Sequence, residues 1–228
     1  VSRHEAWELL NAELIGCQLC PRLVAWREQV AEQKRRMFQD EEYWGKPVPG
    51  FGDRRAHLMI VGLAPAAHGA NRTGRMFTGG GSQETLMTAM QRASFSNMSL
   101  SLERGDGLKF SDAYLTAIAR CAPPKNRPTV GELANCQPYL QREFELLGDV
   151  NVVLALGKMA YDGILRMWNE MGYDLPRLRF EHGAWDELPG ELPVLAACYH
   201  PSRQNTQTGR LTQEMIDGVF RRIRDYIE

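Results

Sequence analysis

The stretch HLMIVGLAPAAHGANRTGRMFTGGGS (His57–Ser82) decides the fold. It opens on a short run, His57–Leu63, that is apolar on both faces. A loop rich in Gly, Ala, Asn and Thr follows, and a helical pattern starts at Gln83. A strand buried on both faces, then a loop, then a helix, is the unit of a parallel sheet covered on both sides. Outward from it, Ala113–Ala119, Asn151–Leu156 and Pro193–Cys198 read the same way. Helical stretches fall at His4–Ile15, Leu23–Gln33, Gln83–Ala93, Val130–Leu147, Lys158–Met171 and Thr212–Tyr226. Thr129 with Glu132 three residues on is a capping box for the fourth. Right-handed crossovers then predict an α/β fold, a three-layer α/β/α sandwich around a central, mainly parallel four-stranded sheet. Lys46–Asp53 reads as a Pro/Gly loop feeding the first strand, and Ser94–Lys109 as a surface loop.

The chain has 228 residues, 43% hydrophobic and 24% charged, which excludes a disordered tail, a collagen-like fibre and a disulfide miniprotein. Length favours one large domain, residues 1–228, with a real core. No apolar run is long enough to span a bilayer, and Val1–Asn11 carries Glu5 and Glu8 where a signal peptide would be apolar. The expectation is a soluble, cytoplasmic (nucleoid-associated) monomer. Val1 in place of Met points to an alternative start codon or a trimmed chain.

Net charge is −1, yet His57–Gln83, Ala113–Gly131 and Leu192–Gln213 hold none of the 28 acidic residues. They carry Arg72, Arg75, Arg120, Lys125, Arg127, Arg203 and Arg210. If the windows meet, they form a cationic surface suited to a phosphodiester partner. Buried strands, which exclude acids anyway, explain the same pattern. Three of the four strand ends run into polar, Gly- and Pro-rich loops: Gly62–Ser82, Arg120–Thr129 and Cys198–Thr212. Parallel sheets bind ligands beyond these carboxyl ends, so the site is expected there.

There are five cysteines. Cys17 and Cys20 form C-x2-C, while Cys121 and Cys136 lie far downstream. Four cysteines with one tight pair suit a zinc or an iron–sulfur centre. The absence of a second C-x2-C weakens a zinc ribbon, and ordinary buried cysteines remain the competing account. Cys198, on the last strand, reads as core.

Five long segments in order carry a resemblance. They are CQLCPRLVAWRE (Cys17–Glu28), PVPGFGD (Pro47–Asp53), GLAPAAHGANRTGRMFTG (Gly62–Gly79), YLTAIARCAPPKNRPT (Tyr114–Thr129) and HPSRQNTQTGRLT (His200–Thr212). With them the chain resembles the family 5 (B-type) uracil-DNA glycosylases. The resemblance implies a uracil-DNA-glycosylase-like fold and a [4Fe–4S] cluster on Cys17, Cys20, Cys121 and Cys136, tying an N-terminal segment to the domain. It also implies DNA containing uracil or other deaminated bases as partner, and hydrolytic release of the base to leave an abasic site.

Such chemistry must hold a flipped base, stabilise the departing anion and place a water. Phe77 offers a stacking face, although loop aromatics often just anchor their loop. His200 can donate a hydrogen bond to a base carbonyl. Gly62, Ala64, Ala66 and Gly69 bracket a tight turn whose N–H groups can face base or water, and His68 can order that turn or the water. Asn126 matches a family position implicated in catalysis. Arg203, Gln204 and Asn205 can enter the minor groove, and Ser202, Thr206 and Thr208 can bond phosphates. The same segment, Pro201–Gly209, also reads as a plain solvated turn.

One departure stands out. Well-characterised family members carry Asp directly after Phe-Thr-Gly, where this chain has Gly80. Three accounts compete: Asn126 and His68 place the water, Glu84 partly substitutes, or the chain binds lesions and cleaves slowly. Ala117, at a strand position often decisive in related glycosylases, cannot make polar base contacts. A less polar pocket makes hypoxanthine a second expected substrate.

Overall fold

The computed structural model describes residues 1–80 and 83–228. The four strands expected from buried apolar runs are present: β2 (Leu58–Gly62), β3 (Ala113–Ala117), β4 (Val152–Leu156) and β6 (Val194–Cys198), each buried along its whole length. All their pairings are parallel. The sheet is wider than expected. Two-residue strands β1 (Phe51–Gly52) and β5 (Trp185–Asp186) pair antiparallel on its edges, giving the order β1-β3-β2-β4-β6-β5. They correct the four-stranded reading, and β1 falls inside the supposed loop Lys46–Asp53. A two-residue strand has no periodicity for a sequence to display.

Alternation along the strands sorts the helices into two layers. Leu58, Ile60, Leu115, Leu154 and Ala196 face α4 (Gln83–Arg92), which follows the one-turn helix α3 (Ala70–Thr73), and α8 (Gln213–Ile227), burying Leu86, Met90, Ile216 and Phe220. Met59, Val61, Val153, Ala155 and Leu195 face α1 (Arg3–Ile15), α5 (Val130–Leu147) and α6 (Lys158–Glu170), burying Trp7, Leu140, Ile164 and Trp168. The expected α/β/α sandwich follows. The helix α2 (Pro21–Gln33) starts two residues before its expected first residue, at a proline suited to a first helical turn. Arg22 of α2 donates twice to Glu132, at 2.8 and 2.6 Å. Glu132 also closes the expected capping box with Thr129.

Ser94–Lys109 is irregular, as expected, but Phe95 and Leu108 are buried and anchor it. The chain leaves β2 for β3 on one side, and leaves β4 for β6 on the other. That reversal puts the topological switch point between β2 and β4, where such sheets leave a crevice.

Candidate active site

A cavity of about 80 Å³ opens above the carboxyl ends of β2 and β6. Its lining joins the loop after β2 (Ala64, Pro65, Ala66, Gly69, Phe77, Thr78, Gly80) with Gln83 of α4 and His200 after β6. Glycine makes two of these placements possible. A Cβ on Gly62 would stand 2.9 Å from the Phe77 ring, so the ring lies on bare backbone at the end of β2. A Cβ on Gly157, whose φ is +93°, would stand 3.1 Å from the Cβ of His200.

Phe77 and His200 face each other across the cavity, with ring centroids 6.2 Å apart and planes 34° apart. Phe77 has φ +50°, a left-handed conformation that bulky residues rarely adopt. Burial lowers the pKa of His200, so its imidazole is neutral near pH 7. Asn205 Nδ2 donates to the His200 carbonyl at 2.9 Å and fixes the backbone. Among the described residues the ring itself has no hydrogen-bond partner and is free to donate to a ligand.

The loop holding Phe77 is braced from beneath. Arg75, buried, donates to Thr78 Oγ1 at 3.0 Å, to the Glu103 carbonyl at 2.7 Å and to Asp106 at 2.6 Å. Burial acts to raise the pKa of Asp106. Hydrogen bonds from Arg75, the Leu108 N–H and Ser101 outweigh it and hold the carboxyl at about 2.

Of the residues expected in the base site, Phe77, Ala64, Ala66 and Gly80 share the lining with His200, and Gly62 supports Phe77 from below. Ala117 does not join them; it is buried in the core at the end of β3. His68 lies outside the lining, its Nδ1 3.0 Å from the Tyr43 hydroxyl. Asn126 sits exposed on the 3-10 turn Pro124–Asn126, where Lys125 and Asn126 both have left-handed φ. Glu84 is exposed, and no carboxylate occurs among the lining residues. Gly62–Ser82 continues through Gly81 and Ser82, which lie outside the described residues.

The cationic surface needs a larger correction. Arg72, Arg75 and Arg120 are buried and paired, to Glu41, Asp106 and Glu143 respectively. Glu143 also accepts from Thr116 and Tyr114, at 2.6 and 3.1 Å. A buried cation must be paired, so each of these faces an acid distant in sequence. Lys125, Arg127, Arg203 and Arg210 stay exposed.

Pro201–Gly209 is likewise no plain turn, since Arg203–Gln207 forms the short helix α7 with Ser202 as N-cap. The hydroxyls of Thr206 and Thr208 donate to carbonyls of the same segment, and Arg203 and Gln204 point to solvent. Gln83 was not legible as a site residue, because at a helix start it reads as an ordinary polar first-turn residue.

Cys17, Cys20, Cys121 and Cys136 line one cavity between the α1–α2 corner and the start of α5. Asn135 Nδ2 donates to Cys20 Sγ at 3.3 Å, and Arg27 Nη1 to Cys121 Sγ at 3.0 Å. Arg27 is itself buried, with Nε unpartnered among the described residues. Burial pushes the Cys136 thiol up to about 12 and raises Cys121. No three His, Cys, Asp or Glu among the described residues form a ready site for a single ion. Cys198 is buried in the core, as read from the sequence.

Comparison with known proteins follows the same lines. The sequence model of the uracil DNA glycosylase superfamily matches residues 49–224. The chain is 50% identical over 213 residues to a type-5 uracil-DNA glycosylase of Mycobacterium bovis, covering 93% of this chain and 78% of that one. It is 50% identical over 203 residues to the type-5 enzyme of Thermus thermophilus, covering 89% and 90%. It is 43% identical over 209 residues to that of Pyrobaculum aerophilum, covering 92% and 88%.

Proposed function

The chain belongs to the uracil DNA glycosylase superfamily, and from that premise we propose that it is a DNA repair glycosylase of the type-5 kind. It draws uracil out of the stack and hydrolyses the N-glycosidic bond, leaving an abasic site. The observation that carries this reading is the pairing of Phe77 and an unpartnered His200 across one small cavity.

Extrusion costs a few kcal/mol and favours mispaired bases. Phe77 offsets part of that by stacking, about 1–3 kcal/mol per base. The C1′–N bond then breaks, its electron pair leaving with the base and the sugar becoming an oxocarbenium ion. His200 donates to a carbonyl oxygen of the departing anion. Water adds to C1′ and releases its proton to solvent, and the base anion takes up a proton.

Gly80 stands where the resemblance places a carboxylate, so the water is placed without that base. The loss of general-base help, typically about 10²–10⁴-fold, leaves most of a large total acceleration intact. His68, held by Tyr43, orders the loop after β2. For Asn126 to place the water, its exposed turn must close onto the cavity when DNA binds. Walls of small apolar groups do little to reject a larger base, which makes hypoxanthine a second substrate. Arg203, Gln204 and Asn205 meet the minor groove, Ser202 and Thr206 the backbone, and Lys125 and Arg127 add charge from the neighbouring turn. The protein acts as a monomer.

Cys17, Cys20, Cys121 and Cys136 hold a [4Fe–4S] cluster. The buried Arg27 fits this donor set, because its one acidic neighbour among the described residues, Glu28, is exposed and 3.8 Å away, and its charge among the thiols favours a closer anion. Hydrolysis moves no electrons, so the cluster, when bound, supplies a structural tie between the N-terminal helices and the β3–α5 loop. No helix among the described residues is long and apolar enough to cross a membrane.

The test is single-turnover base release from oligonucleotides holding one uracil or one hypoxanthine, single-stranded and mismatched. Release of free base with an intact abasic strand is expected. His200→Ala should slow it by about 10²–10³-fold, the usual cost of removing one donor to a developing anion. Uracil retained in the strands at enzyme excess would overturn the catalytic reading.

A further inference from the structure

Gln83 is one of three polar side chains in the cavity wall, with Thr78 and His200, and neither the stacking face nor the anion donor accounts for it. It is 4% exposed at the first turn of α4, and it lines the cavity with Phe77, Gly80 and His200. Its Oε1 is buried and accepts no hydrogen bond among the described residues. A buried acceptor left unpaired carries its whole desolvation cost with no return. Apart from His200 the wall around it is Ala, Pro, Gly, Met and Phe, with the Thr78 hydroxyl accepting from Arg75 and donating to the Met76 carbonyl. Among the described residues no donor reaches it, so the partner we assign to it is whatever enters the cavity.

We propose that Gln83 reads the lactam edge of the extruded base, an N–H beside a carbonyl, and so sorts deaminated from normal bases. The proposal rests on the glycosylase reading and deepens it. A carboxamide offers one acceptor beside one donor. Oε1 accepts the ring N–H, and Nε2 donates to the adjacent carbonyl. Uracil presents that pair at N3 and O4, and hypoxanthine at N1 and O6. With the amide oriented as in the structure, cytosine and adenine present a bare ring nitrogen beside an amino group, which sets lone pair against lone pair at Oε1; matching them takes a 180° turn of the amide that carries Oε1 out of its buried position. The purine and the pyrimidine share the edge, so one amide serves both where a shape-matched pocket would not. Thymine has the same edge and is outside what Gln83 can sort.

The experiment measures binding and release together. Duplexes carry uracil or 3-methyluracil, the second lacking the N–H donor, on ordinary and on 2′-fluorinated sugars that resist hydrolysis. The wild-type protein should prefer uracil by about 10–100-fold, the worth of one good bidentate contact. In Gln83→Ala that preference should collapse, with uracil weakened and 3-methyluracil little changed. Gln83→Glu, which keeps an acceptor and loses the donor, should retain the preference for the N–H and bind uracil more weakly. Unaltered thermal melting of both variants shows that the fold is intact.

No wild-type preference between the two bases overturns the proposal. So does a Gln83→Ala variant that loses both equally, as a structural or water-holding residue would. Failure to release uracil, with the binding preference and its loss in Gln83→Ala intact, would sink the catalytic reading and leave this one standing.

Discussion

At the scale of single residues, the site depends on side chains that are absent as much as on those present. Phe77 holds a left-handed φ, a strain of about 1–3 kcal/mol that surrounding packing must offset. The bare backbone of Gly62 lets its ring lie flat at the strand end. Gly62→Ala puts a methyl 2.9 Å from that ring, and the strand beneath cannot move aside. The ring tilts instead, and base release should fall about tenfold or more, since small misplacements cost heavily in positioning. Single-turnover rates at unchanged melting temperature check this; an unaffected rate would show that stacking is dispensable. Gly80 is the opposite case. Among the described residues a Cβ there meets only the Gly69 Cα, at 3.8 Å, and no left-handed φ restricts the position. The cavity therefore has room for the carboxylate that the resemblance leads one to expect. Gly80→Asp should fold normally and raise uracil release by on the order of 10²-fold, the low end of general-base help. A rate that stays flat or falls would mean the water is placed from another side of the cavity.

Among the elements, what the sequence made legible was whatever is fixed by local pattern. The central strands show because burial on both faces leaves a continuous apolar run, and the start of α5 shows because Thr129 and Glu132 are chemically paired. The edge strands β1 and β5 do not show, since pairing of two residues depends on a neighbour far along the chain. The arginines mislead for the same reason. Arg72, Arg75 and Arg120 have the composition of a DNA-binding surface, and only partners 31, 31 and 23 residues away reveal them as internal struts. Gln83 needs a cavity before its orphaned oxygen means anything. The Arg75–Asp106 strut makes a testable statement about the loop that presents Phe77. The carboxyl is depressed from 3.8 to about 2 in the folded protein. Stability from this pair is therefore fully present above about pH 4 and is lost as pH falls towards 2. A shift of that size is worth about 2 kcal/mol. Wild-type stability should fall more steeply than that of Asp106→Asn across this window, followed by denaturant unfolding at each pH. Parallel curves would mean the strut contributes nothing to folding.

At the scale of the whole molecule, the N-terminal helices meet the middle of the chain at one place away from the cavity. Cys17 and Cys20 come from the corner between α1 and α2, Cys121 from the loop after β3, and Cys136 from α5. Independent contacts also hold this region: Trp7 and Leu10 are in the core, and Arg22 grips Glu132. If the four cysteines hold the proposed cluster, its removal therefore should not unfold the protein outright. It should leave Arg27 buried among the cysteine side chains, with the exposed Glu28, at 3.8 Å, its one acidic neighbour among the described residues. A buried charge deprived of its partner costs about 3–5 kcal/mol, and the cheapest relief is for α2 to detach and expose the guanidinium. Cys20→Ser should thus lose iron and visible absorption, melt well below the wild type, and gain protease sensitivity confined to the α1–α2 segment. Adding Arg27→Met to that variant should restore part of the lost stability, because it removes the stranded charge rather than replacing the metal. Uracil release per folded molecule at low temperature should stay within a few-fold of wild type, as general-base or positioning losses of about 10²-fold are not at stake. If iron-free protein melts like the loaded form, the four sulfurs tie nothing together. If release collapses while the core stays protected from protease, the cluster region reaches the DNA-binding face, and its role is more than structural.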